Sequence, residues 1–120
     1  MLSLIPLFAG LLLTDDRPPV SERAQRVHQA GMLFDGHNDL PWELRRRGDV
    51  AFTKFDLSQR LSDGQTDVPR IRAGGLKAQF WSVYIPSEHP DPARTVVQQI
   101  DIVHRMIEKY PETFALALTA

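Results

Sequence analysis

The chain contains no cysteine. This excludes a disulfide framework, a thiolate zinc finger and a cysteine nucleophile within these 120 residues. A surplus of charge is missing too: 14 basic against 15 acidic side chains leave a formal net charge of -1. Neither nucleic acid nor an anionic membrane surface is therefore indicated as a partner. Long hydrophobic runs are lacking. The longest, Leu2 to Leu13, has the length of a signal-peptide core and is too short to span a bilayer. No Lys or Arg precedes it and no small-residue cleavage pattern is evident. It reads either as an export leader or as an apolar arm packed on the body of the protein, and it leaves localisation open. Gly74-Gly75 lacks the further glycines and the Lys of a phosphate loop, and Ser82 lacks the surroundings of a nucleophile elbow.

What is present reads as alternating strands and helices. Pro18-Pro19 closes the leader and separates residues 1–19 from a body of residues 20–120. Ser21 is placed to cap a helix whose Ala24, Val27 and Ala30 face inward and which Gly31 ends. Met32 to Asp35 reads as a buried strand, and Trp42 to Arg47 as a short helical segment with the Arg45-Arg46-Arg47 run on a solvated face. Val50 to Leu61 fits a covering segment. Thr66 or Asp67 can cap a short helix with Pro69 in its first turn and Gly74-Gly75 at its end. Leu76 to Ile85 is large on both faces, as an interior strand would be. Val96, Val97, Ile100, Val103, Met106 and Ile107 recur at three- and four-residue spacing and predict an amphipathic helix from Ala93 to Tyr110. Pro111 ends it, and Phe114 to Leu118 reads as a brief strand or the entry to another element. This order predicts an α/β fold with a parallel sheet.

Within it, Phe34-Asp35-Gly36-His37-Asn38-Asp39-Leu40-Pro41-Trp42 opens abruptly from apolar to ligand-bearing residues. On an extended segment His37 and Asp39 point the same way and can converge on one ion, while Gly36 permits close backbone approach. Imidazole nitrogen with carboxylate oxygen suits Zn²⁺ or a similar divalent metal. The bland alternative is a surface turn with Asp39 capping the next helix. Asp35 reads equally as an acceptor orienting His37 and as a structural hydrogen-bonding group. Trp42 and Tyr84 are candidates for a pocket wall, with core packing the competing role for Trp42. Phe80 and Trp81 read as strand packing, and His28, His89 and His104 lack partners at ligand spacing.

These blocks carry a resemblance. The segment Phe34 to Trp42, then Thr66-Asp67-Val68-Pro69-Arg70 and Gly74-Gly75-Leu76-Lys77-Ala78-Gln79-Phe80-Trp81-Ser82, resembles the membrane (renal) dipeptidases, the zinc dipeptidases of peptidase family M19. The resemblance covers roughly residues 20–120. It implies the N-terminal part of a (β/α)₈ TIM-type barrel of the metal-dependent hydrolase kind, with a binuclear zinc centre at the C-terminal ends of its strands. His37 and Asp39 would bind one metal. The bridging Glu and the two His ligands of the second metal would lie beyond residue 120, which makes the chain an N-terminal fragment, inactive alone. The implied partners are a dipeptide substrate and, in the complete protein, a second copy in a homodimer; membrane association is not determined. Competing functions are another metal-dependent barrel amidohydrolase, and a truncated non-enzymatic homologue serving as a binding or structural protein.

Overall fold

The computed structural model describes residues 18–119, so the expectations for Leu2 to Leu13 lie outside the described residues. Six elements follow one another: α1 (Glu22–Ala30), β1 (Leu33–Asn38), α2 (Leu40–Arg46), α3 (Val68–Ala73), β2 (Leu76–Trp81) and α4 (Pro92–Lys109). The two strands pair in parallel, so the mixed α/β organisation is present. Among the described residues no helix is long and apolar enough to cross a membrane.

Local chemistry sets the helix ends. Ser21 accepts a hydrogen bond from the Ala24 N–H at the start of α1, and Asp67 accepts one from the Arg70 N–H at the start of α3. Pro41, Pro69 and Pro92 each stand in a first turn, where a missing N–H costs nothing. Gly75 has φ +68, and a Cβ there would meet His28 Nε2 at 2.9 Å, so the turn into β2 requires glycine. His28 Nε2 in turn lies 2.9 Å from Gly74 O. Lys77 Nζ donates to Gln29 O and Gly31 O at 2.8 and 2.7 Å, satisfying carbonyls at the C-terminal end of α1. These contacts tether α1 to the sheet, for it buries none of its residues: Val27 is 66% exposed, contrary to the expected inward face.

The strands differ from expectation in their extent. β1 runs past Asp35 to Asn38, because the register slips between Asp35↔Gln79 and Asn38↔Trp81, leaving one extra residue in β1. β2 stops at Trp81 rather than Ile85. Pairing ends there: the Ser82 N–H donates to Asn38 O at 2.9 Å, and β1 has turned away beyond it. Nor are both faces buried. Phe34 and Phe80 meet edge to face, centroids 5.0 Å apart, yet remain 52% and 61% exposed, while Trp81 turns to the core and packs on Phe114. The face that carries Phe34 and Phe80 is thus left open. Phe114 to Leu118 forms no strand.

The core gathers Leu44, Phe52, Leu57, Val68, Ile102, Met106 and Tyr110. The segment from Val50 to Leu61 covers it without a helix or strand, as predicted. On α4 the buried residues are Thr95, Gln99, Ile102 and Met106, so the inward stripe is rotated from the apolar one expected, and Val97 is 64% exposed. The cause is a polar bridge. Arg45 donates from Nε to Gln99 Oε1 at 2.6 Å and from Nη1 to Gln98 Oε1 at 3.1 Å, joining α2 to α4. Arg47 also leaves the expected solvated face. It pairs with Glu43 and Asp63 at 2.6 and 2.8 Å and lies over the Phe55 ring.

A buried carboxylate fixes the covering segment. Asp49 accepts hydrogen bonds from the N–H groups of Thr53, Lys54 and Phe55 and from the Thr53 hydroxyl, at 2.7–2.9 Å. Burial pushes its pKa up, but those donors together outweigh burial and lower it to about 2. They also hold Phe52, at φ 56, in a left-handed conformation that its own side chain disfavours. Because the folded-state pKa lies below the unfolded one, the stabilisation is complete above about pH 4 and disappears as the pH falls toward 2. Asp49→Asn should lower the unfolding free energy by about 2 kcal/mol at neutral pH and flatten this acid limb. Urea unfolding across pH 2 to 7 measures both effects.

Candidate metal centre

His37 and Asp39 stand where β1 gives way to α2. The strand carries His37 on its last turn of extended chain, beside the extra residue. Asn38 then makes the corner: its Oδ1 accepts the Leu40 N–H at 3.0 Å and its Nδ2 donates to Thr66 Oγ1 at 3.2 Å. Asp39 follows at the N-cap of α2, but its carboxylate makes no capping bond. It turns instead to His37, whose Nε2 lies 3.1 Å from Asp39 Oδ1.

That separation fits a shared ion. With both donors at ordinary zinc distances in a tetrahedral arrangement, nitrogen and oxygen stand about 3.3 Å apart. Both side chains are accessible, 65% exposed for His37 and 51% for Asp39. The donor types suit zinc, and the two side chains offer one nitrogen and one oxygen. Among the described residues no third His, Cys, Asp or Glu joins them.

The Asp39 carboxyl is held below its usual pKa. A side-chain hydrogen bond with Ser82 is the largest influence; burial opposes it, and His37 adds both a hydrogen bond and its charge. Ser82 follows β2 directly, its N–H donating to Asn38 O at 2.9 Å, and no nucleophile motif surrounds it. In the parallel register Asn38 pairs with Trp81, so Ser82 lies one residue further along.

The other expected residues divide. Asp35 Oδ1 accepts the His37 backbone N–H at 3.1 Å, so Asp35 braces the irregular strand. Trp42 and Tyr84 do come together, rings perpendicular with centroids 6.3 Å apart, Trp42 half-buried and Tyr84 52% exposed. Gly36 shows no close approach, since a Cβ there would meet nothing within 4 Å. A cleft of about 310 Å³ begins at Asn38, Asp39 and Trp42 and runs between α2 and the segment from Phe55 to Thr66. Sequence reasoning missed it because its walls come from residues well separated in the chain.

Capping gives a stability test. Asp39→Ala removes no cap bond and should cost about 0.5 kcal/mol or less, against about 1 kcal/mol for an ordinary cap. Asp67 is 1% exposed and accepts from Arg70 N, Leu61 N and the Arg70 guanidinium. Asp67→Ala should therefore cost about 2–4 kcal/mol. Equal losses in urea unfolding would show that Asp39 has a fold-supporting role.

Comparison with known proteins now adds to this geometry. The model of the family described as membrane dipeptidase (peptidase family M19) matches residues 21–120. Dipeptidase ataJ of Aspergillus terreus is 38% identical over 112 residues, covering 85% of this chain and 27% of that protein. Dipeptidase 3 of Mus musculus and dipeptidase 3 of Rattus norvegicus are each 39% identical over 97 residues, covering 79% of this chain and 20% of theirs. The chain thus spans about a fifth to a quarter of the length of these curated relatives. The strand-end block with His37 and Asp39 lies inside the matched region, and the chain belongs to the membrane dipeptidase family, peptidase family M19.

Proposed function

We propose that the chain forms the opening part of a zinc-dependent dipeptidase. In this reading residues 20–120 supply the first strands and helices of a (β/α)₈ barrel, and His37 and Asp39 hold one of two zinc ions at the strand ends. The observation that carries it is the pairing of His37 Nε2 with Asp39 Oδ1 at 3.1 Å, with Asp39 released from its capping duty. Zinc, when bound, supplies a Lewis acid for the scissile carbonyl and lowers the pKa of a water. His37 would contribute a nitrogen donor and Asp39 a carboxylate oxygen.

The substrate class follows from the relatives, whose names describe dipeptidases. Trp42 and Tyr84 would form one wall against a dipeptide side chain, since their crossed rings present an apolar surface near the ligand-bearing corner. The remaining metal ligands come, in this proposal, from residues other than these 120. Two ligands alone lack the chelation and charge neutralisation that tight zinc binding needs.

Two experiments test the reading. In the complete enzyme, His37→Ala and Asp39→Ala should each remove zinc and lower kcat/KM for a dipeptide by more than the 10–100-fold typical of residues outside the ligand set. Metal content by atomic spectroscopy and turnover by released amino acid give the two measurements; wild-type values in both mutants would refute the assignment. The purified 120-residue chain with added zinc should hydrolyse no dipeptide, and reproducible turnover would show that the ligands present suffice.

A further inference from the structure

We infer that Gln79 is a positioning residue for His37: its side-chain amide clamps β1 to β2 where their register slips, and so sets the direction in which the imidazole leaves the strand. The inference rests on the metal-site reading above. Between the pairs Asp35↔Gln79 and Asn38↔Trp81, Gly36 and His37 together stand against Phe80 alone. A bulge of this kind interrupts the ladder and leaves backbone groups to be satisfied by other means. Gln79 meets that need. Its Nε2 donates to Asp35 O at 3.2 Å on one strand and to Phe80 O at 3.0 Å on the other. The reverse orientation of the amide would set its oxygen against two carbonyl oxygens, none of which can donate. As it stands, Oε1 is buried with no hydrogen-bond partner among the described residues, so the hydrogen bonds of this side chain go to the bulge.

Packing does little to hold His37. Its side chain is 65% exposed, and a Cβ on the neighbouring Gly36 would meet nothing within 4 Å. Glycine also has more backbone freedom to lose than any other residue. Hydrogen bonds supply the restraint instead. Asp35 is engaged at both ends: its carbonyl accepts from Gln79 Nε2, and its Oδ1 accepts the His37 N–H at 3.1 Å. Gln79, Asp35 and His37 thus form a line of contacts that runs from β2 to the backbone of the imidazole-bearing residue. At its end His37 Nε2 lies 3.1 Å from Asp39 Oδ1. Lys77, on the same strand as Gln79, serves a different place: its Nζ donates to Gln29 O and Gly31 O at the end of α1.

The test uses the complete enzyme and zinc competition against a chromophoric chelator. Gln79→Met keeps an unbranched side chain of similar size but has no N–H to give, and it should weaken zinc binding about 10–100-fold, the effect usual for a group that orients a ligand. The visible spectrum of the cobalt-substituted protein should change with it, a signature that a purely structural role would not move. Lys77→Met removes two hydrogen bonds from the same strand at a distance from the bulge, and should keep the wild-type affinity and spectrum. Unchanged affinity and spectrum in Gln79→Met, with His37→Ala losing metal, would overturn the positioning role alone. Equal losses of zinc in Gln79→Met and Lys77→Met would also overturn it, because the effect would then be one of general strand stability. Wild-type metal binding in His37→Ala would instead overturn the site reading on which the inference rests. Loss of the folded circular dichroism spectrum in Gln79→Met would assign the amide to the fold and equally overturn the inference.

Discussion

The parallel pairing of β1 with β2, interrupted by one extra residue between Asp35 and Asn38, is the constraint on which the site depends. Parallel strands bring like ends together, so the C-terminal end of β1 and the residue following β2 emerge side by side. The extra residue turns β1 out of the sheet at that point. Asn38 can then take the Leu40 N–H, Pro41 can sit in the first turn of α2, and the chain changes from strand to helix within a single residue. That residue is Asp39. The last ladder bond, from the Ser82 N–H to Asn38 O, lies just before it.

Aspartates in this chain show how the same side chain divides between fold and chemistry. Asp49 and Asp67 are 3% and 1% exposed, and each accepts several N–H donors from nearby backbone. Asp35 accepts one from His37. These carboxylates hold turns and helix starts together, and their acceptor capacity is largely used there. Asp39 is the contrasting case: half exposed and free of a capping bond, it pairs with His37 Nε2 at 3.1 Å. A carboxylate with one side-chain partner at a strand end keeps lone pairs for further contacts. The distinction lies in the partners, and spacing alone does not reveal it.

Several features were therefore legible in the sequence and others were not. Ser21, Asp67 and Pro69 act locally, so the starts of α1 and α3 could be read from neighbouring residues. His37 and Asp39 could be paired because they are two residues apart. The α4 face could not be read so directly. Its burial of Gln99 depends on Arg45, a residue far away in the chain, and the apolar spacing pointed to Val97 and Ile100, which are exposed. Arg47 likewise found Asp63 across a loop.

The open sheet face and the partial ligand set express one requirement. Parallel sheets are stable when both faces are covered, because their residues are apolar on both sides. Here Phe34 and Phe80 cover each other but stay largely exposed, and β1 and β2 have only each other as partners among the described residues. The end of β1 brings one nitrogen and one oxygen donor side by side, fewer than the four donors zinc usually takes. A closed barrel, as proposed, would meet both needs with the same added strands: their side chains would fill the space against Phe34 and Phe80, and their ends would bring further ligands to the corner where Asp39 stands. Packing and chemistry in this family would then be completed together, so that a ligand set able to hold two ions would exist only where the sheet had closed.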